Sequence, residues 1–408
     1  MRLSRCHAEH AACTAMNEHL RLLIVDDSAL MRRVLRGMFT KDSGITVVGE
    51  AINGREALDL VARLRPDVIT MDVRMPVMDG LETTEQLMAY YPTPILVLTA
   101  SLSRYDVDIT FKMLGAGALD VMEKPKLDDA HSYERARREL LRRIKLLSRV
   151  KVVTHLRGRR RAEQPYPDQD RHSGAAPLTT THTLGQTQHQ NREGAAWTMS
   201  QSVVHTPGMA IPGITPSFKI PFPLVVIGAS TGGPRIIRQI LMGLPVTFRA
   251  SILVVQHIAE GFSRGMVDWL ASACQLPVRL ACEGDQLTVG TVLVAPERLD
   301  LLVESNGRIH LNDKQLLLQR PAIDITMQSA AEMFGPQVIG ILLTGMGRDG
   351  AVGMQSIHHA GGYTIAQEQA SCTIFGMPRA AIELKAVDEV LSPEEIVLAL
   401  QKRVVAMM

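Results

Sequence analysis

The sequence predicts an α/β protein made of two doubly wound parallel-sheet domains, a five-stranded one followed by a larger one with an antiparallel hairpin. Three observations predict it. From Leu20 to residue 150, short and nearly continuous apolar runs alternate with amphipathic stretches, as strands buried on both faces do with their crossover helices. The same alternation returns after Pro223, and between the two halves periodicity vanishes. The length of 408 residues allows two or three domains at ~150 residues each.

In the first half, LRLLIVDD, ITVVGEA, PDVITMD, TPILVLTA and ALDVMEK read as strands, being β-branched or leucine-rich. Helical patterns cover 28–40, 54–65, 80–90, 104–115 and 130–150, and this alternation requires a parallel sheet. In the second half PLVVIGAS, ASILVVQH, PVRLACE and QVIGILLTG read as strands, with helices at 234–243, 262–274, 323–334, 350–360, 377–384 and 392–405. ESNGRIH reads as a hairpin with a two-residue Asn306-Gly307 turn, and QLTVGTVLVAP as further short strands. The expected organisation is an N-terminal extension over 1–19, a first domain over 20–150, a flexible linker over 151–221 and a second domain over 222–408. Met16, just before the first apolar run, is an alternative start to Met1. The linker segment TTTHTLGQTQHQN cannot bury enough apolar surface to offset chain entropy and is expected to be disordered.

Apolar residues make up 46% of the chain and charged ones 21%, enough for ordinary cores. The balance of 44 Lys+Arg against 42 Asp+Glu gives no whole-chain electrostatic reason to expect nucleic acid or membrane. Five scattered cysteines, none in a CxxC pair, exclude a disulfide scaffold and argue against zinc. No apolar run reaches the ~18–20 residues that cross a bilayer, and the first twenty residues lack the apolar core of a signal peptide. The expected compartment is the cytoplasm. Locally, Arg135 to Arg161 holds twelve Lys/Arg and the single acid Glu139. That run offers an electrostatic patch, although a solvated helix face leading into a basic linker is the plainer reading.

Polar residues gather at the carboxyl ends of the first-half strands. Asp26 and Asp27 follow the first strand, Asp72 ends the third, Thr99 the fourth and Lys124 the fifth. An open parallel sheet binds ligands at that edge. Three clustered carboxylates repel one another, and a hard divalent cation such as Mg²⁺ relieves them. Asp72 is placed to attack phosphorus and form an acyl phosphate, with Thr99 and Lys124 meeting the phosphoryl oxygens. Alone, a strand-end Asp is usually a cap or turn residue; the ordered set is what points to phosphoryl chemistry.

In the second half GASTGGP, residues 228–234, joins a strand to a helix. A dinucleotide cradle wants GxGxxG, but Ser230 stands where the second glycine belongs, and the next strand ends in His257 rather than an acid. Ser230 instead reads as an exposed nucleophile beside helix N-terminal amides. It needs a base, which His257 offers, and the base needs an orienting acid, which Asp349 in LLTGMGRDG offers. Each has an ordinary structural reading, a satisfied polar residue for His257 and a helix cap for Asp349. Their arrival at one sheet edge is what favours catalysis. The order Ser, His, Asp differs from the α/β-hydrolase order.

Two resemblances follow from these motifs. IVDDSALMRRVL, PDVITMDVRMPVMDGLE, ILVLTA and MEKP resemble the receiver domain of two-component response regulators. The resemblance implies Asp72 as phosphoacceptor, Asp26, Asp27 and Asp72 as Mg²⁺ ligands aided by the Arg74 carbonyl, and Thr99 and Lys124 as switch residues. IGASTGGP, VVQHI, APE, LLTGMGRDGA and FGMP resemble the catalytic domain of chemotaxis protein-glutamate methylesterases. That implies Ser230 as nucleophile, His257 as base, Asp349 as acid, and the Thr231 and Met346 amides as oxyanion donors, with no cofactor for the esterase. Departures are IAEGF, where many relatives carry a proline, Arg348, where Asn is common, and an unusually long linker.

The resemblance implies a phosphorylation-controlled esterase that acts on glutamate γ-methyl esters of chemoreceptor signalling helices and deamidates receptor glutamines. It also implies a chemotaxis histidine kinase as phosphoryl donor. A monomer that binds no nucleic acid is the default expectation. The long tether is expected to make receiver inhibition leaky by lowering effective concentration. A rival reading is a receiver-gated, non-catalytic interaction module. A DNA-binding output is a second rival, but no helix-turn-helix pattern follows the basic stretch.

Overall fold

The structure, a computed structural model, describes residues 19–39, 44–100, 103–125, 130–152, 222–314 and 320–408. The expected N-terminal extension (through 18) and linker (from 153) lie outside the described residues.

The first half runs β1 (Leu20–Val25), α1 (Ala29–Phe39), β2 (Ile45–Ala51), α2 (Gly54–Leu64), β3 (Val68–Asp72), α3 (Gly80–Tyr90), β4 (Ile95–Thr99), α4 (Arg104–Ala116), β5 (Asp120–Glu123) and α5 (Ala130–Leu147). The strands form one parallel sheet in the order β2-β1-β3-β4-β5. Every residue of β3 and β4 is buried, which is why they read as unbroken apolar runs. Side chains start the helices where backbone amides would otherwise lack partners: Asn53 accepts from Glu56 N–H and Asp79 from Glu82 N–H. The chain reverses its direction of winding between β1 and β3, so Asp26, Asp27 and Asp72 emerge at the crevice where such sheets bind ligands.

The second half runs β6 (Leu224–Ala229), α6 (Gly233–Met242), β7 (Ser251–Gln256), α7 (Ser263–Ala271), β8 (Val278–Leu280), β9 (Val292–Val294), β10 (Asp300–Val303), β11 (Ile309–Asn312), α8 (Ile323–Phe334), β12 (Val338–Leu342), α9 (Ala351–His359), β13 (Tyr363–Gln367), α10 (Met377–Glu383), β14 (Glu389–Leu391) and α11 (Pro393–Ala406). Seven strands make a parallel sheet in the order β14-β13-β12-β6-β7-β9-β8. β10 and β11 form a separate antiparallel pair. Central β6 lies between β12 and β7, so the loops after these three strands share one edge.

The hairpin differs from expectation. Gly307 N–H donates to the Glu304 carbonyl and Glu304 N–H to the Arg308 carbonyl, both at 2.9 Å. Only Gly307 is left-handed, at φ 73°. The loop is therefore three residues long with a glycine bulge, not a two-residue Asn306-Gly307 turn, which would require φ > 0 at Asn306 as well.

The two halves pack on each other through α4 and α7. Phe111 and Trp269 rings lie 5.6 Å apart, and both belong to an apolar cluster that continues into each sheet. Gly265 permits this approach, since a Cβ there would overlap Val107.

Candidate phosphorylation and hydrolase sites

At the first sheet's edge, Asp26, Asp27 and Asp72 each offer a carboxylate oxygen, all within 4.8 Å of one another. Lys124 Nζ lies 2.7 Å from both Asp26 and Asp72. Burial pushes the Asp72 carboxyl up to about 6, against the pull of Lys124. Burial alone would lower the Lys124 pKa, but Asp72 and Asp26 overcome it and raise it. This set of hard oxygen donors with surplus negative charge fits a divalent cation. Thr99 is buried at the end of β4. The five expected residues thus share one edge. The Arg74 side chain turns away from the acids to ion-pair with Asp106 on α4 and lies 5.3 Å from the Tyr105 ring centre.

At the second sheet's edge, Ala229 and Gln256 are register partners on parallel β6 and β7. The next residues, Ser230 and His257, are therefore neighbours at about the ~5 Å interstrand spacing. His257 N–H donates to the Ala229 carbonyl (3.0 Å) and Ser230 N–H to the Thr344 carbonyl (3.0 Å). The second bond fastens the turn that carries Ser230 to the loop after β12. Gly345 in that loop must lack a side chain, because a Cβ would overlap Met377 and press on Ser230.

Asp349 reaches His257 from the same loop, with 2.7 Å between Oδ2 and the imidazole Nε2. The N–H groups of Ile323 (2.8 Å), Asp324 (2.9 Å) and Gly350 (3.0 Å) also donate to this carboxylate. Burial works to raise the Asp349 pKa, but His257 and these amides outweigh it and hold the carboxyl below its ordinary range. The structure joins Asp349 to His257 and leaves Nδ1 of the ring buried without a hydrogen-bond partner among the described residues. It makes no Ser230–His257 hydrogen bond. Nε2 is thus the ring nitrogen on the carboxylate and Nδ1 the one without a partner among the described residues, the reverse of their places in the Ser-His-Asp template.

Neither the Thr231 nor the Met346 amide donates a hydrogen bond among the described residues. The first half touches both residues. Thr231 Oγ1 donates to Asp120 Oδ2 (3.0 Å), which Arg143 also binds (2.8 Å), and Arg142 contacts the Met346 sulfur. Two cations of the basic run thus face inward instead of forming an open patch.

Comparisons with known proteins agree with this architecture. A family model for the response regulator receiver domain matches residues 22–133, and one for CheB methylesterase matches residues 225–400. The chain is 38% identical over 387 residues to protein-glutamate methylesterase/protein-glutamine glutaminase 1 of Syntrophus aciditrophicus (strain SB), covering 94% of this chain and 98% of that protein. The chain belongs to this family. A relative from Anaeromyxobacter dehalogenans (strain 2CP-C), numbered 2 under the same name, is 39% identical over 385 residues, covering 94% of this chain and 96% of its own length. Among solved structures, the Thermotoga maritima CheB methylesterase catalytic domain is 38% identical, covers 45% of this chain and 99% of that one, with a TM-score of 0.43. No helix among the described residues is long and apolar enough to cross a membrane.

Within this family architecture, sequence reasoning missed residues that build the site. The Gln256 side-chain amide donates to the carbonyls of both Ser230 and His257, each at 2.8 Å. Thr344, fully buried, donates to the Thr231 carbonyl (3.0 Å) and accepts from Ile374 N–H (2.9 Å). The signal for Gln256 was an amide closing the apolar run SILVV directly before the histidine. Thr344 gave none.

Proposed function

We propose that the chain hydrolyses γ-methyl esters of glutamate on chemoreceptor signalling helices, and deamidates glutamines there, under control of phosphorylation at Asp72. The observation that carries this reading is the Asp349–His257 pair beside Ser230 at one sheet edge, in a chain whose relatives are named for both activities.

In the proposed reaction Ser230 Oγ attacks the side-chain carbonyl carbon of the substrate while His257 Nδ1 takes its proton. The oxyanion is met by the Thr231 and Met346 amides. Collapse expels methanol, or ammonia from glutamine, which carries off the proton from His257. Water, deprotonated by the same nitrogen, then releases the glutamate carboxylate and restores Ser230. Asp349 stays anionic throughout and stabilises the imidazolium. The serine–histidine hydrogen bond is expected to tighten in the substrate complex, as catalytic hydrogen bonds often do.

Asp26, Asp27 and Asp72 would hold Mg²⁺, which supplies charge neutralisation for the phosphoryl group arriving from a chemotaxis histidine kinase. Asp120, Arg142 and Arg143 supply the control, because they sit on the two oxyanion residues while the first half is docked. Phosphorylation shifts the population toward an undocked state. Ser230→Ala tests the chemistry. Methanol release from methylated receptor membranes is expected to fall by about a thousandfold or more, and an unchanged rate would mark a non-catalytic module.

A further inference from the structure

We propose that Asp324 is a positioning residue for the catalytic acid, through a reciprocal exchange of carboxyl groups between the starts of α8 and α9. The proposal rests on the triad reading above and concerns a residue outside the triad.

Neither helix caps its own start with a side chain: the N-cap residues are Ala322 and Gly350. Each borrows from the other. Asp349, just before α9, accepts the Ile323 and Asp324 N–H groups of α8's first turn. Asp324, in that first turn, accepts the Gly353 N–H of α9 at 2.7 Å. Both carboxyl groups meet the positive end of the opposite helix. The starts approach closely, since a Cβ on Gly353 would press on Met327 and the Asp324 backbone. The cross-link therefore fixes Asp349, and through Oδ2 the imidazole of His257.

The two carboxyl groups also touch each other, and adjacent carboxyls do not ionise together cheaply. Asp349 has four donors around it and keeps the charge. Burial, reinforced by the Asp349 charge, pushes Asp324 up to about 6. The other charged groups near the pair are His257, on Asp349, and Asp300, which accepts from Ala322 N–H (2.9 Å) with Arg320 at 4.0 Å. As Asp324 loses its proton, a second negative charge appears beside Asp349 and favours the imidazolium. His257 then becomes the stronger base.

Asp324→Asn preserves an N–H toward Asp349 and a carbonyl for Gly353 but cannot acquire charge. Asp324→Ala removes both contacts. Full-length protein carrying each change is assayed for methanol release across pH, and the His257 ring is titrated by NMR, which needs no turnover. The alanine variant is expected to lose about ten- to a hundredfold in kcat with little change in KM. The asparagine variant is expected to keep kcat within about threefold while the His257 titration and the acid limb of kcat/KM move to lower pH. An unmoved His257 titration in the asparagine variant, or wild-type kcat in the alanine variant, overturns the proposal. Should alanine prevent folding, the asparagine titration decides alone. Ser230→Ala run alongside separates failure of the serine-esterase reading, which leaves the NMR result intact.

Discussion

Gln256 shows how a single side chain can hold one edge of a sheet together. Its two N–H groups tie the carbonyls of Ser230, 26 positions away in the chain, and of its neighbour His257. The side chain is only 3% exposed, so water cannot replace those bonds. Gln256→Glu would set a carboxylate oxygen against two carbonyls in a near-isosteric side chain. The expected cost is about 1–3 kcal/mol of stability and a fall in kcat of about tenfold or more from misplacement of the reacting groups. Thermal melts and methanol-release kinetics check this; unchanged kcat would make the residue a space filler. Asp26, Asp27, Asp72, Ser230, His257 and Asp349 were legible from the sequence because parallel strands deliver polar residues abruptly after apolar runs. The clamps were not. Thr344, whose N–H donates to Gln367 Oε1 (2.8 Å), and Asp324 bond to residues that only the fold brings near.

At the scale of elements, strands with long unbroken apolar runs were legible, and those that are very short or diluted by polar residues were not. β13 reads YTIAQ, a short run between two helices whose Thr and Gln dilute the apolar signal, although all five residues are buried. β14 has three residues and lies at an edge, mostly exposed. The hairpin motif ESNGRIH marked the reversal correctly but not its loop length, because Asn-Gly satisfies both loop types. The contact between α4 and α7 was beyond sequence reasoning, since Gly265 looks like any helix glycine until Val107 is opposite it. Gly265→Val should wedge the helices apart while leaving the second sheet's core alone. Unphosphorylated full-length protein is then expected to release methanol about five times faster or more, the low end of ordinary coupling free energies. A lower melting temperature with an unchanged rate would separate this contact from control.

At the scale of the whole molecule, the docked arrangement matters most where it meets Thr231 and Met346, the proposed oxyanion residues. Asp120 and Arg143 engage Thr231, and Arg142 engages Met346. β5 connects the two regions: Lys124, just past its carboxyl end, faces Asp72, and Asp120, at its amino end, meets Thr231. Asp72 is bound by Lys124, which follows β5, and Arg74, two residues on, is bound to Asp106 on α4. The linker length predicted leaky inhibition. The docking surface, where the tilted Phe111 and Trp269 rings meet, adds a contact that tether length alone does not describe. The most direct measurement is methanol release from methylated receptor membranes by the full chain, with and without acetyl phosphate. The expected result is a rise of about fivefold or more with the phosphodonor, absent in Asp72→Asn. Equal rates with and without it, in a protein shown to be phosphorylated, would contradict control of Ser230 by the receiver.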